Sequence, residues 1–293
     1  MQVITGLLSV MKKILLINPP FYRLMGSHFN GLSLGLSYIS SVLQRAGFDV
    51  MIYNADFLEK EEYLDQTQIF DNFNLYKTIL NDRSQSVWGE IKGRVSAYAP
   101  DVVGITMHTG TYKSVKNIAE IVKEISKGIP VIVGGPHPTL DPEGTLADDN
   151  NIDFAVRGEG EYTFLELVQG KSIGDILGVS YKNGDHIIHN PDRPFINDLD
   201  SLPFPDRASI FDADKHDLAQ VMTGRGCPFV CSFCASPKLW KRKVRFRSVG
   251  NVMGELREIK NIKNGEVLYF VDDTFTIDSA WVGEFCNLMI NFL

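Results

Sequence analysis

Residues 101–137 read DVVGITMHTGTYKSVKNIAEIVKEISKGIPVIVGGPH and carry the clearest secondary-structure pattern in the chain. Two short apolar runs, at 101–106 and 130–134, flank a segment at 112–125 in which apolar residues recur at helical spacing. Short apolar runs without alternation are typical of strands that are buried on both faces, as in parallel sheets. The stretch therefore predicts a strand–helix–strand unit.

The same pattern occurs on both sides of this unit. Further strands are predicted at 13–18, 48–53 and 153–157, and further helices at 34–46, 88–97 and 161–168. Strands that alternate with helices indicate an α/β protein with a doubly wound parallel sheet, of the Rossmann or flavodoxin-like kind. The dipeptide Asn183-Gly184 between two apolar runs predicts a β-hairpin. A polar and aromatic stretch at 58–83 is predicted to contain some helix and has no assigned role.

A second informative stretch, Cys227-Pro-Phe-Val-Cys231-Ser-Phe-Cys234, holds three of the four cysteines of the chain. Thiolates are soft ligands that suit iron–sulfur clusters or zinc. A 4Fe–4S cluster usually takes four cysteines, so three close cysteines suggest a cluster with one iron open to a small molecule. The alternative is a zinc knuckle. Zinc prefers four tetrahedral ligands, but no partner C-x2-C occurs and the nearest histidine is His216.

Composition limits the remaining function classes. The chain has 293 residues, enough for about two domains, and a net charge of −7. An acidic chain is a poor candidate for nonspecific nucleic-acid binding. Clustered cysteines argue against a disulfide framework and favour the reducing cytoplasm. No apolar run approaches the roughly 20 residues that span a bilayer. We therefore expect a cytoplasmic protein without a membrane span or a nucleic-acid partner.

Candidate ligand-binding residues follow the predicted strands, because ligands of open α/β sheets bind outside the carboxyl ends of the strands. These segments are rich in glycine, which lets a ligand approach the backbone closely. The candidates are Asn18, Pro19, Pro20, Thr106, His108, Thr109, Gly110, Gly134, Gly135, Pro136, His137, Gly158 and Glu159. The alternative interpretation is that these segments are ordinary tight turns.

The cysteine motif, with the aromatic Phe233 before its last cysteine, resembles the signature of the radical S-adenosylmethionine (radical SAM) enzymes. The resemblance implies a 4Fe–4S cluster on Cys227, Cys231 and Cys234, whose open iron binds SAM. It also implies that the second strand of this domain, predicted at 266–271, ends beside the amino group of SAM. The candidate SAM contacts are therefore Phe233, Asp272 and Asp273. Helix capping is the alternative role of the two aspartates, although Asp278 and Ser279 can already provide it for the helix predicted at 280–293.

Four pieces of the first half, taken in order, resemble the cobalamin-binding domain that precedes many radical SAM cores. They are KILLINPP at 13–20, LGLSYI at 34–39, DVVGIT at 101–106 and VGGPHPT at 133–139. The resemblance implies that cobalamin binds between the sheet and its loops, at the candidate residues given above. The Asp-x-His-x-x-Gly motif of some relatives is missing after the first strand. We therefore expect no histidine of that motif to ligate cobalt.

Four segments follow from these observations. They are an N-terminal extension at 1–11, a cobalamin-binding domain at 12–189, a proline-rich linker at 190–216 and the start of a radical SAM core at 217–293. The barrel of the family needs more βα units than the sequence after the cysteine loop contains, so an incomplete (β/α) partial barrel is expected. An unpaired sheet edge favours aggregation, so the chain alone is expected to behave poorly or to be inactive.

The resemblance implies a cobalamin-dependent radical SAM enzyme that uses a 4Fe–4S cluster and a 5′-deoxyadenosyl radical. The first interpretation is a methyltransferase that acts on an unactivated carbon of a small-molecule or natural-product substrate. An external flavodoxin- or ferredoxin-type protein would supply the electron. Two alternatives stay open. One is a radical SAM oxidative cyclase or rearrangement enzyme that uses cobalamin, and the other is a cobalamin-binding module with a non-functional catalytic half.

Overall fold

The computed structural model describes residues 12–59, 64–262, 267–290 and 292. The predicted N-terminal extension at 1–11 lies outside the described residues. The chain divides into two compact units. The first unit contains the described part of 12–194 together with Pro205–His216, and the second contains Phe195–Phe204 and the described residues from 217 onwards. No helix within the described residues is both long and apolar enough to cross a membrane.

A seven-stranded sheet with the order β2-β1-β3-β4-β5-β6-β7 forms the centre of the first unit. Its strands are β1 (Lys13–Asn18), β2 (Asp49–Asn54), β3 (Val102–Thr106), β4 (Val131–Gly134), β5 (Phe154–Val156), β6 (Val179–Asn183) and β7 (His186–His189). The first five pair in parallel, and β6 and β7 add an antiparallel hairpin. The prediction of a doubly wound parallel α/β sheet is confirmed, because this order matches flavodoxin-like folds.

Helices cover both faces of the sheet, which explains why the central strands are buried along most of their length. On one face α1 packs against α8, and on the other α4 packs against α5. The helices of this unit are α1 (Leu34–Arg45), α2 (Gln66–Asp71), α3 (Phe73–Asn81), α4 (Ser86–Tyr98), α5 (Tyr112–Ile125), α6 (Pro136–Leu140), α7 (Pro142–Ala147) and α8 (Glu161–Val168).

Alternate residues of the central strands enter two different cores. Leu15 and Ile17 of β1 pack with Trp88 of α4 in one core, and the Trp88 indole donates a hydrogen bond to the Ile79 carbonyl at 2.9 Å. On the other face, β3 carries Gly104 where the sheet meets Leu16 and Phe164. A Cβ at Gly104 would lie 2.8 Å from both of these side chains. The glycine therefore lets the helix layer pack closely on the sheet.

The hairpin differs from its prediction by one residue. Asn183 pairs with His186, so the two-residue turn is Gly184-Asp185 and not Asn183-Gly184. Gly184 adopts a φ of 62°, a conformation that costs glycine little. The hairpin also pairs with β5 and thereby extends the sheet, which the sequence did not predict.

The stretch at 58–83 contains the helices α2 and α3, as predicted, although residues 60–63 lie outside the described part. Helix α3 packs against a turn of 3₁₀ helix, Tyr22–Met25, that follows β1. Asn72 donates a hydrogen bond to the Met25 carbonyl at 2.8 Å. The inserted helices therefore cover the loop that leaves the first strand.

The second half of the predicted linker belongs to the first unit. Asp206 accepts hydrogen bonds from Ser40 Oγ at 2.6 Å and from Gln44 Nε2 at 2.8 Å. Ile210 forms a parallel bridge with Ile52 of β2. The linker thus covers the outer edge of β2, an edge that would otherwise leave backbone groups without partners.

The second unit contains two parallel strands, β8 (Gln220–Val221) and β11 (Tyr269–Phe270), and an antiparallel pair, β9 (Gly224–Arg225) and β10 (Arg245–Phe246). Its helices are α9 (Ser236–Trp240), α10 (Val249–Ile262) and α11 (Ser279–Ile290). The order strand, helix, strand, helix accords with the predicted partial (β/α) barrel. Strand β11 is shorter than the predicted 266–271, of which residue 266 lies outside the described residues. Beyond β8, the Thr223 amide donates to the Asp272 side chain and not to a neighbouring strand.

The first half of the predicted linker packs on a basic segment of the second unit. Arg245 lies over the rings of Phe195 and Trp240, and its Nη1 donates to the Ile196 carbonyl at 2.7 Å. Arg247 is 3% exposed and pairs with the buried Glu255. A run of basic residues usually forms a solvated face, but Arg245 and Arg247 are buried.

Free cysteines are usually buried, but Cys286 is exposed on α11. The buried face of that helix is defined by Trp281 and Phe285, which stack on each other in the core of the second unit. The next helical position lies about 100° further round the axis. This rotation places Cys286 outside the packed face.

We predict that Gly104→Ala lowers the free energy of unfolding by about 1–3 kcal/mol, because its methyl group would overpack the contact with Leu16 and Phe164. The matched control is Gly89→Ala, which lies on the exposed side of α4 with open space around it. Alanine favours a helix, so the control should be neutral or stabilising. Urea unfolding monitored by circular dichroism measures both variants, and equal stabilities would contradict this account of the sheet.

Candidate functional site

The cysteine loop begins at two positions where a side chain would clash with the backbone, and both are glycines. Gly224 pairs with Phe246, and a Cβ there would lie 2.9 Å from the Arg245 carbonyl oxygen. Gly226 has a φ of +97°, and a Cβ there would lie 2.0 Å from the Lys243 carbonyl oxygen. No other residue fits this position without moving the backbone. The Gly-Arg-Gly run therefore fixes the direction in which the cysteine loop leaves the sheet.

The three clustered cysteines lie on a loop without regular secondary structure, between β9 and α9. Cys227 is partly buried, whereas Cys231 and Cys234 are exposed. The Cys234 amide donates to the Cys231 carbonyl at 3.1 Å, and Arg242 Nε donates to the Pro228 carbonyl at 3.0 Å. These bonds close a turn between Cys231 and Cys234 and link the loop to the segment after α9.

Two of the sulfur atoms accept hydrogen bonds. Thr274 Oγ1 lies 3.2 Å from Cys227 Sγ, and the Ser236 amide lies 3.4 Å from Cys234 Sγ. Three thiolate donors, two of which accept hydrogen bonds, are a donor set that fits an iron–sulfur cluster. Within the described part of the chain, no three His, Cys, Asp or Glu side chains are arranged to hold a single metal ion.

The predicted SAM contacts have different surroundings. Phe233 is 92% exposed, so its ring is free to contact a ligand. Asp272 Oδ1 accepts from Thr223 Oγ1 at 2.8 Å and from the Gly224 amide at 2.6 Å. Burial raises the pKa of the Asp272 carboxyl, against the lowering effect of these hydrogen bonds. The hydrogen bonds of Asp272 therefore connect the ends of two strands. Asp273 is exposed.

The alternative role of the two aspartates, capping of the last helix, is wrong. Asp278 Oδ1 accepts hydrogen bonds from the amides of Ala280 and Trp281, both at 3.0 Å. A carboxylate that accepts from the first turn of a helix is its N-cap. Asp278 therefore caps α11, and the loop at 271–275 is available for other contacts.

In the first unit, the candidate residues after β1 are held by a network of side chains. Asn18 Nδ2 donates to Asn54 Oδ1 at 2.9 Å, and the Pro20 carbonyl accepts from Ser114 Oγ at 2.8 Å. Pro19 and Pro20 are buried. Asp56, which the sequence analysis missed, accepts from the Phe21 amide at 2.6 Å. A carboxylate just after a strand was the available signal.

The loops after β3 and β4 contact each other. Thr109 Oγ1 and His137 Nδ1 are 3.1 Å apart, and the ring of Tyr112 lies edge-on to His137 at 5.0 Å. The other ring nitrogen of His137, Nε2, is buried without a hydrogen-bond partner among the described residues. His108 and Gly110, in the loop after β3, are exposed. The structure thus brings two candidate histidine-bearing loops together.

The loop after β5 joins the same edge. Gly158 donates its amide proton to Thr139 Oγ1 at 3.0 Å, a contact that links the β4 and β5 loops. Gly135 has a φ of +107°, and a Cβ there would lie 3.0 Å from the Met107 carbonyl oxygen. Glu159 is buried. Thr139 was not among the candidates, although a hydroxyl shortly after Gly134-Gly135 could have indicated it.

Two features of this edge fit a large ligand with polar groups. The unpartnered His137 Nε2 can bond such a group, and the space around Gly158 is open to at least 4 Å from a Cβ built there. The remaining candidates, Thr106 and Pro136, lie at the end of β3 and the start of α6. The thirteen candidate residues therefore share the carboxyl edge of four parallel strands, and their contact with a ligand stays a prediction.

A cavity of about 340 Å³ in the first unit lies elsewhere, near the end of β2. None of its lining residues is a predicted cobalamin contact. Its cations are already paired, Arg94 with Asp212 at 2.8 Å and Lys215 with Glu59 at 2.9 Å. The cavity therefore adds no evidence for the predicted ligands.

A family model described as the B12 binding domain matches residues 27–168, within the seven-stranded unit. An uncharacterized methyltransferase of Pyrococcus horikoshii is 34% identical over 278 residues, which cover 91% of this chain and 54% of that protein. An anaerobic magnesium-protoporphyrin IX monomethyl ester cyclase of Rubrivivax gelatinosus is 32% identical over 227 residues, or 72% of this chain and 40% of the cyclase. The chain spans about half the length, or less, of these curated relatives.

Among solved structures, the radical SAM methyltransferase TsrM from Kitasatospora setae matches with a TM-score of 0.68. The match covers 96% of this chain and 51% of that chain at 16% sequence identity, so it shows a shared fold. The fold, the domain match and the similar relatives agree with the resemblance found in the cysteine motif and in the first half of the sequence. The chain is therefore similar to radical SAM proteins, and its first unit matches the B12 binding domain.

Proposed function

We propose that this chain provides the cobalamin-binding and cluster-binding parts of an enzyme that methylates an unactivated carbon of a small-molecule substrate. The supporting observation is the combination of a three-thiolate loop with a unit that matches the B12 binding domain. The methyltransferase relative, which aligns over 91% of this chain, supports the reaction class. The chain spans only part of that relative, so the activity of the whole protein is proposed here and not shown.

In this proposal, Cys227, Cys231 and Cys234 hold a 4Fe–4S cluster, and Phe233 and Asp273 contact SAM beside it. Asp272 keeps the second strand end next to the cysteine loop. When bound, the cofactors supply one-electron cleavage of SAM and a transferable methyl group. The residues of the chain supply the geometry. The Gly-Arg-Gly run directs the loop, and the hydrogen bonds to Cys227 and Cys234 orient the sulfur atoms.

The loops at the carboxyl edge of the first sheet would hold cobalamin. Thr109 and His137 connect the β3 and β4 loops, while Thr139 and Gly158 connect the β4 and β5 loops. This network would keep the edge rigid before the ligand binds, which reduces the entropy lost on binding. The Asn18–Asn54 bond fixes the turn that replaces the missing histidine motif. We retain the hypothesis that no histidine of that motif ligates cobalt.

We also propose that a flavodoxin- or ferredoxin-type protein supplies electrons and that the protein works in the cytoplasm. The exposure of Cys231 and Cys234 supports access of a reductant to the loop. Clustered reduced thiols are typical of a reducing compartment.

The cyclase relative favours a second candidate function, oxidative ring formation with the same cofactors. The two functions differ in their products. A product that carries a new methyl group derived from SAM supports the methyltransferase, whereas a product with a new ring and no added methyl supports the cyclase.

We predict that each of Cys227→Ser, Cys231→Ser and Cys234→Ser lowers iron binding sharply after anaerobic reconstitution, because a serine hydroxyl replaces a soft ligand. The wild-type chain should hold about four irons. Cys286→Ser removes the remaining cysteine, exposed on α11, and should leave the iron content unchanged. Iron and sulfide analysis measures all four variants. Wild-type iron content in the three motif variants would contradict the cluster assignment.

We predict that Gly134→Val weakens cobalamin binding roughly tenfold or more, a loss of about 1.4 kcal/mol. A Cβ at Gly134 meets Val156 at 3.7 Å, an ordinary contact, so the fold should accept the valine while bulk is added among the candidate residues. The control is Gly93→Val on the exposed side of α4. Equilibrium dialysis with hydroxocobalamin measures both. Equal affinities in folded proteins would place the corrinoid elsewhere.

A further inference from the structure

We propose that Thr274 is a positioning residue that raises the reduction potential of the iron–sulfur cluster through its hydrogen bond to Cys227. The inference rests on the proposed cluster and concerns a residue outside the cysteine motif. Thr274 lies 47 positions after Cys227, in the loop that follows β11, and its Oγ1 is 3.2 Å from Cys227 Sγ. Distance along the sequence explains why the motif alone does not reveal this contact.

The direction of the hydrogen bond follows from the chemistry of its partners. A hydroxyl group can donate or accept a hydrogen bond, whereas a thiolate that ligates a metal can only accept one. Thr274 must therefore donate to the sulfur when Cys227 is a ligand. The Ser236 amide makes a comparable contact with Cys234 at 3.4 Å, but it belongs to the backbone. Thr274 is thus the contact that a side-chain substitution can remove.

Asp272 fixes the loop on the amino-terminal side of Thr274. Its carboxylate accepts hydrogen bonds from Thr223 Oγ1 at 2.8 Å and from the amides of Thr223 and Gly224 at 3.0 and 2.6 Å. Thr223 and Gly224 lead directly into the cysteine loop. The start of the Thr274 loop and the start of the cysteine loop are therefore held together by one carboxylate.

Phe275 fixes the loop on the carboxyl-terminal side. Its ring packs against Phe270 at 5.2 Å, Trp281 at 5.8 Å and Phe285 at 5.9 Å between ring centroids. These rings belong to the core of the second unit. With both neighbouring positions held, the Thr274 hydroxyl has little freedom to leave Cys227, and the contact follows from the fold.

A hydrogen bond to a ligand sulfur affects the two oxidation states unequally. The reduced cluster carries one more negative charge, part of which lies on its sulfur atoms. A hydrogen bond donated to sulfur therefore stabilises the reduced state more than the oxidised state. Hydrogen bonds to the sulfurs are among the features that set cluster potentials. Removing the Thr274 hydroxyl should therefore make the cluster harder to reduce.

The test compares Thr274→Val, which removes the hydroxyl at nearly constant shape, with Thr274→Ser, which keeps it. Thr276→Val changes an exposed threonine of the same loop and is the matched control. Each variant of the full chain is reconstituted anaerobically, its iron is counted, and its midpoint potential is measured by a redox titration that follows the paramagnetic signal of the reduced cluster. We expect Thr274→Val to lower the ratio of reduced to oxidised cluster at a fixed potential roughly three- to tenfold, where tenfold corresponds to about 59 mV.

The serine variant and the Thr276→Val control should keep the wild-type potential. A Thr274→Val cluster with full iron content and an unchanged potential would overturn the proposal while leaving the cluster intact. A wild-type chain that binds no iron would overturn the cluster and the role of Thr274 together, and iron analysis distinguishes this outcome. If Thr274→Val loses iron while Thr274→Ser retains it, the hydroxyl is needed to hold the ligand and not to tune the potential, and the proposal is overturned.

Discussion

The carboxylate of Asp272 holds together the two strand ends from which the cysteine loop is built. It accepts hydrogen bonds from Thr223 and Gly224, which lead into that loop, and it begins the segment that carries Thr274. Even a partly buried carboxylate is costly unless its hydrogen-bonding capacity is used, and here backbone amides and a hydroxyl use it. The position of Cys227 relative to the second strand depends on this interaction, and the proposed cluster chemistry depends on that position.

In the first unit, the parallel sheet determines where polar groups can meet a ligand. Its parallel strands are buried on both faces, so polar groups are available only at the strand ends. The carboxyl ends of four strands meet at one edge, where Thr109, His137, Thr139 and Gly158 connect successive loops. Glycine at position 104 lets a helix layer approach the sheet behind them. Close packing beneath the edge therefore supports the loops that we propose as the cobalamin-binding surface.

Much of this architecture was predictable from sequence, because apolar runs and helical spacing report burial directly. The five parallel strands and the cysteine motif are examples. Contacts between distant segments were not predictable. Asp56, Thr139 and Thr274 act through partners that only the fold brings close. The linker divides between two units because Phe195 meets Arg245 while Asp206 meets Ser40, and composition does not encode such a division.

The central claim is that three thiolates bind a 4Fe–4S cluster and leave one iron open to SAM. Mössbauer spectroscopy of the chain reconstituted with ⁵⁷Fe, recorded with and without SAM, tests this claim most directly. The account predicts a 4Fe–4S spectrum in which one iron changes its signal when SAM is added and the others do not. A cluster spectrum that SAM leaves unaltered, or a colourless protein that holds zinc and no iron, would contradict it.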